Sequence, residues 1–423
     1  MRRQRGLVGL TGLATLVGLG LIAKPAVAQP GTVITTEQSA SILVFPKVIA
    51  DGTRDTIIQI TNTSNNMQQA HCFYIDGAPT NPLLPPGSLN PPLCQETDFD
   101  IWLTLQQPTH WVVSTGRWSN PAVESCSGAP SPVTCCPLDL PVCSGTTEHS
   151  GGKVNPACCD AGLNLSAIPP VAPDFTGELI CIEVDASGAP ISGNSIKGEA
   201  TLEDIATGDV SKYNAIGIQG NDNNNGDDVL CLGSPTAPAD PTLCPTGNEY
   251  AGCPASWVLD HAATGAPDAV IEDQAFCTTH PCSWIGTNLT VVPCTEDFET
   301  QALTTITLQF LVTNEYEQTL SASTTFACWA SFDLGAPNTA VLPLLPGISD
   351  IFNAGTLGGE LAQTQMRSAA GTPGGTLAVI EERHQDTVNH LFARSDQNGH
   401  MIGELNVMDL ITIPTGQGND ATP

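Results

Sequence analysis

Apolar and polar residues alternate along residues 55–62, DTIIQITN, with Ile58 and Ile60 on one face. A period of two predicts a strand with one face buried and one wet. The runs SASILVFPKVIA (39–50), AHCFYID (70–76), THWVVSTG (109–116), GELICIEVD (177–185) and KGEATLED (197–204) read as further strands. Helical periodicity is scarce. The 40 glycines and 34 prolines fall between these runs as punctuation, which predicts an all-β chain rich in turns. Short strands at this spacing favour a sandwich over a barrel or a helix-covered sheet. Three stretches lack the pattern: a Pro-rich segment at 77–97, a Cys-, Pro- and Ser-rich segment at 119–174, and an irregular Cys-bearing segment at 221–284.

The strand pattern recurs in the same order further along. ILVFP (42–46) matches LTVVP (289–293), and the run ending in Thr61-Asn62 matches ITLQFLVTN, which ends in Thr313-Asn314. HCFYIDG (71–77) matches ACWASFDLG (327–335), with Cys72 on Cys328. GELICIEV (177–184) matches GTLAVIEE (375–382), with Glu183 on Glu381, and IKGEATLED (196–204) matches IGELNVMD (402–409) with one residue skipped. Five matches in one order predict a duplication, with the first copy expanded by the Pro-rich and Cys-rich material. Asn62 and Asn314 then mark equivalent strand ends, where an Asn side chain can bond the local backbone.

The amino terminus places this pattern in a compartment. Arg2, Arg3 and Arg5 precede a mildly apolar run, Gly6–Ala23, and Ala26-Val27-Ala28 supplies small residues for cleavage. This is the pattern of a signal peptide over 1–28, with Gln29 as the mature start. RRQRG lacks the rest of a twin-arginine pattern, which favours the general export route. Loss of Arg2, Arg3, Arg5 and Lys24, and of no acid, takes the net charge from −30 to −34. Such a chain repels phosphate backbones, so nucleic acid is excluded as a partner class. No later segment predicts membrane insertion after cleavage. The expected location is extracellular, on the cell surface or periplasmic.

Sixteen cysteines in an exported chain predict disulfides. Zinc needs regular Cys or Cys/His sets, and the spacing from Cys126 to Cys159 and from Cys231 to Cys294 is irregular. Adjacent Cys135-Cys136 and Cys158-Cys159 are expected to bridge outward, because bonding to a neighbour strains the geometry.

The run FPK…TRDTIIQITNTSN…AHCFY resembles exported, uncharacterised β-sandwich proteins of environmental bacteria, most clearly over residues 40–118 and 285–299. The resemblance implies compartment and fold, and carries no activity and no catalytic residue.

Candidate chemistry is sparse. In GNDNNNGDDVL (220–230), Asn221, Asn223 and Asn225 take positions 1, 3 and 5 of a calcium loop, with Gly226 at position 6 and Asp227 following. Position 1 is not Asp, and position 12 is Leu232 where a carboxylate is needed, so a polar turn is the competing reading. CTEDFET (294–300), Asp98 and Asp100 add carboxylates that can serve a cation or simply face water. Three of the six tryptophans, Trp102, Trp111 and Trp118, lie close together. Trp111 sits in an apolar strand and reads as core, whereas Trp118, beside Arg117, is the candidate for stacking on a sugar ring. His384 and His390 have no zinc spacing, and Glu381 is a repeat position, so that group reads as structural. G-x-S-x-G, H-E-x-x-H and P-loop motifs are absent.

The sequence therefore predicts two related immunoglobulin-like β-sandwich domains, over 29–220 and 285–423, joined by residues 221–284. The expected function is structural or adhesive and non-enzymatic, with a protein or glycan at the cell surface as partner and no cofactor beyond the calcium candidate. The alternatives are a carbohydrate- or calcium-dependent binding module, and a secreted hydrolase with a site assembled from loops.

Overall fold

A computed structural model describes residues 33–81, 92–117, 168–206, 208–221, 223–233, 241–267, 284–335, 350–369, 374–385, 391–398, 400–401 and 409–414. Residues 1–28, expected to be a signal peptide, lie outside this set, as do most of residues 119–174 and cysteines 126, 135, 136, 143, 158, 159, 277 and 282. The regular structure among the described residues is almost entirely β. In the first half the strands are β1 (Ile34–Thr35), β2 (Ile42–Ala50), β3 (Arg54–Asn62), β4 (Gln68–Asp76), β5 (Gln95–Leu103), β6 (Pro108–Val112), β7 (Phe175–Val184), β8 (Ile196–Asp204), β9 (Val210–Asn214) and β10 (Ile216–Ile218). They form a six-stranded sheet, β1-β10-β2-β7-β4-β5, and a four-stranded sheet, β6-β3-β8-β9.

Residues from both sheets make one core: Leu43, Phe45, Ile58, Ile60, Tyr74, Phe99, Trp111 and Leu179 are buried together. The alternation of β3 has its physical reason here, since Ile58 and Ile60 point inward while Ile57 and Gln59 are only partly covered. Trp111 is core, as expected, and its indole N–H donates to the Tyr74 hydroxyl at 2.6 Å. β2 behaves differently, because it is buried at every position. Leu43 and Phe45 belong to the first core, while Ile42 and Val44 face a second one. β7 divides in the same way, with Leu179 and Cys181 on one side and Ile180 and Ile182 on the other. The six-stranded sheet is thus a middle layer, which is why its central strands β2 and β7 read as nearly continuous apolar runs.

The rest of the chain supplies β11 (Val229–Gly233), β12 (Tyr250–Ala251), β13 (Ser256–Ala262), β14 (Trp284–Pro293), β15 (Glu296–Asp297), β16 (Thr305–Asn314), β17 (Thr319–Ala327), β18 (Ala330–Leu334), a single-turn helix α1 (Ala354–Leu357), β19 (Leu361–Ser368), β20 (Thr376–Gln385), β21 (Leu391–Asn398), β22 (His400–Met401) and β23 (Asp409–Thr412). Their sheets are β18-β14-β20-β21, β17-β16-β19-β13-β22 and β12-β11-β23-β15. Leu289, Val291, Trp257, Phe310, Met366 and Ile380 form the second core together with Ile42, Val44, Phe73 and Ile180 of the first half. β11, β12 and β13 arise within residues 221–284, where no periodicity marks them. Residues Thr32–Pro423 form one compact unit.

Ile42, Leu43, Val44 and Phe45 pair with Ile182, Cys181, Ile180 and Leu179. Leu289, Thr290, Val291 and Val292 pair with Ile380, Val379, Ala378 and Leu377. These four pairings correspond one to one under the sequence alignment. β4 and β18 do not occupy corresponding places, since β4 lies between β7 and β5 whereas β18 lies beside β14. Most of residues 402–409 fall outside the described set.

Four disulfides are described. Cys72–Cys181 ties β4 to β7, and Cys231–Cys244 and Cys253–Cys294 hold the second half. Cys94–Cys328 joins the two halves. They fit an oxidising compartment. Among the described residues no helix is long and apolar enough to cross a membrane.

Candidate functional site

β5 is an edge strand, and its sequence QETDFD puts Glu96, Asp98 and Asp100 on one face. Ile75 of β4 stands opposite Glu96 on one side and opposite Glu178 of β7 on the other, so these three share that face. Glu296 and Asp297 come from CTEDFET, placed by parallel pairing of β15 with β23. Phe298 then stacks on Phe73, with ring centres 4.1 Å apart. Glu96, Glu296 and Asp297, with Ile75, Phe298 and the Cys94–Cys328 bridge, line a cavity of about 20 Å³. That is room for roughly one water or one ion.

The electrostatics follow from burial. Burial pushes the Glu96 carboxyl up to about 8, helped by the charges of Asp98 and Asp297. Glu178 is raised well above the ordinary range by burial and then by Glu296. Glu296 is raised by burial, then by Glu96 and Asp297. Both carboxyl oxygens of Glu178 and Oε1 of Glu296 are sealed from solvent without a hydrogen-bond partner. Beside them, His71 Nε2 lies 3.1 Å from Asp98 Oδ2, and its ring stacks on Phe73. The cluster can store protons, or it can release them in favour of a cation. Among the described residues no three His, Cys, Asp or Glu side chains already form a metal shell.

Glu296 and Asp297 of 294–300, and Asp98, separate in the sequence, are thus brought together around Glu96, whereas Glu299 is exposed. Glu96 and Glu178 were not singled out by sequence reasoning. The signal available was a glutamate at the head of GELICIEV, a strand otherwise buried on both faces.

The Asn-rich loop folds around another carboxylate. Asn221 Oδ1 accepts the Asn223 N–H at 2.7 Å, and Asn225 Oδ1 accepts the Asp227 N–H at 2.7 Å. Asn221 and Asn223 each donate their amide to the Asn248 carbonyl. The Asn225 amide nitrogen donates to Asp227 Oδ2 at 2.6 Å. Buried Glu249 accepts the N–H groups of Asn225 and Cys231. Gly226 has φ +72, the left-handed turn the loop requires. Trp118 and His390 lie outside the described residues. His384 is half-buried on β20, opposite Ile285 of β14.

No known protein family matches the chain, and no curated protein matches it. Among solved structures, it is similar to the Cowpea mosaic virus top component, described as naturally occurring empty particles, at 10% identity over 94% of this chain and 97% of that one. The TM-score of 0.14 is too low to carry any argument about fold or function.

Proposed function

We propose that this is an exported, non-enzymatic structural or adhesive protein of the cell surface, periplasm or extracellular matrix. The observation that carries the reading is the way the halves are locked. They share one apolar core, and Cys94–Cys328 bridges them covalently. A frame of this kind resists proteolysis and force, and leaves loops free to contact a protein or glycan. The two halves read as copies of one unit, supported by the four corresponding strand pairings and by matching bonds at Asn62 and Asn314. The test is to locate the protein by surface proteolysis and to compare attachment of cells with and without it. Unchanged attachment, with the protein confined to the cell interior, sinks the reading.

A second reading, calcium-dependent binding, is favoured by the unpartnered carboxyl of Glu178 beside Glu296. It predicts a rise in melting temperature with calcium over EDTA at pH 8. No rise, together with a blank glycan array, removes it.

A further inference from the structure

Away from the acid cluster, one lysine is buried against a carboxamide. The pairing of β2 with β7 shifts register between Phe45 and Val48, so Pro46 and Lys47 form a bulge. The Tyr213 hydroxyl pins that bulge, accepting the Lys47 N–H at 3.1 Å and donating to the Lys47 carbonyl at 2.7 Å. The Lys47 side chain is sealed from water and reaches into the second half. Its Nζ contacts Glu381 Oε2 and lies 3.4 Å from Asn288 Oδ1. Asn288 and Glu381 stand directly opposite each other on β14 and β20. All three residues are buried.

The carboxamide is held at both ends. Asn288 Oδ1 accepts the hydroxyls of Thr290 at 3.3 Å and Ser331 at 3.1 Å, donors placed to stabilise charge developing on that oxygen. Asn288 Nδ2 donates to Asp333 Oδ1 at 2.9 Å. Glu381 does not depend on Lys47 for its charge partners, because Arg383 Nε donates to Oε1 at 2.5 Å and Arg54 lies 3.7 Å from Oε2. Burial alone would raise the Glu381 carboxyl, but Lys47, Arg383 and Arg54 outweigh it and hold it low.

We propose that Lys47 and Asn288 form an isopeptide cross-link between the two halves, with Glu381 as the proton carrier. The Lys47 ammonium gives a proton to Glu381, an uphill transfer because Arg383 and Arg54 favour the charged carboxylate, and the neutral amine is consumed as it forms. The Nζ lone pair attacks Cγ of Asn288, and the carbonyl electrons move onto Oδ1, held by Thr290 and Ser331. Glu381 returns its proton to Nδ2, the Cγ–Nδ2 bond breaks, and ammonia leaves with the surplus proton from Nζ as ammonium. One carbon–nitrogen bond forms, one breaks, and nothing is oxidised or reduced. Proximity and orientation supply what the bimolecular reaction lacks. The product also replaces a buried ammonium, costly to keep out of water, with a neutral amide. The inference stands apart from the structural reading above, and either can fail alone.

The test is peptide mapping by mass spectrometry of the exported protein after denaturation, reduction and incubation at pH 8. The expected result is a branched peptide joining Lys47 to residue 288 and lighter by one ammonia. Cyclisation of an N-terminal glutamine also loses ammonia, but at a different site. Lys47→Met and Asn288→Ala lose the branched peptide. Lys47→Met leaves Glu381 its two arginines and is expected to fold, checked by formation of Cys94–Cys328. Glu381→Gln, which cannot take the proton, slows linking by roughly 100-fold or more. Wild-type protein that yields only linear peptides, with Lys47 and Asn288 intact, overturns the proposal. Linking at an unchanged rate in Glu381→Gln overturns the role of Glu381.

Discussion

Asn62 and Asn314 end β3 and β16 with two corresponding bonds. Each side-chain oxygen accepts a backbone N–H two residues on, Ser64 at 2.8 Å and Tyr316 at 2.9 Å. Each amide nitrogen reaches a distant carbonyl, that of Thr104 at 3.0 Å or Leu357 at 2.7 Å. Both side chains are buried, so truncation strands the backbone groups they satisfy. Asn62→Ala and Asn314→Ala are each expected to cost about 1–3 kcal/mol in urea unfolding. A loss at one site with none at the other would separate the two ends. That an Asn at these points bonds the turn was readable from sequence, because the Asn follows an alternating run. The distant carbonyls were not, since Thr104 lies just beyond β5 and Leu357 ends α1, and tertiary packing brings both in.

Strands with one wet face were the easiest to read. β3 and β16 announce themselves through alternation. β19, LAQTQMRS, alternates too, but its inward residues are Ala362, Thr364 and Met366, and the weak contrast hides it. β5 is hidden for a different reason. Its acidic face rests near β15 and not in open water, and that neighbour is positioned by pairing with β23, more than a hundred residues further on. This burial has a consequence for pH. A carboxyl raised in the folded state binds its proton more tightly there than when unfolded. Its contribution is complete below the ordinary value near 4.5 and is lost as pH climbs through about 8 for Glu96 and about 7 for Glu183, both raised first by burial. Asp409, lifted by burial to about 6, adds to the same trend from its lower ordinary value. Glu381 acts oppositely, since its held-down carboxyl loses its support only in strong acid. The melting temperature is therefore expected to peak near pH 5 and fall toward pH 9. Glu178→Gln, which imitates the protonated form, should raise it at pH 8 and leave it nearly unchanged at pH 5. A curve that is flat from pH 5 to pH 9 would remove the buried-acid argument.

The middle sheet makes the two halves depend on each other. Ile42, Val44, Phe73 and Ile180 leave the first half to complete the core of the second. Trp329 donates its indole N–H to the Pro46 carbonyl at 2.8 Å, and a side chain on Gly77 would collide with the same ring. Neither half can open without exposing apolar surface of the other. Calorimetry of the intact protein should accordingly show one cooperative transition. Replacing Cys94 and Cys328 by serine removes the bridge but not the shared core. That variant is expected to lose roughly 2–5 kcal/mol and several degrees of melting temperature, while still unfolding in one step. Two separated transitions in the wild-type protein would mean that the halves fold alone, and the shared core would then not be what holds the molecule together.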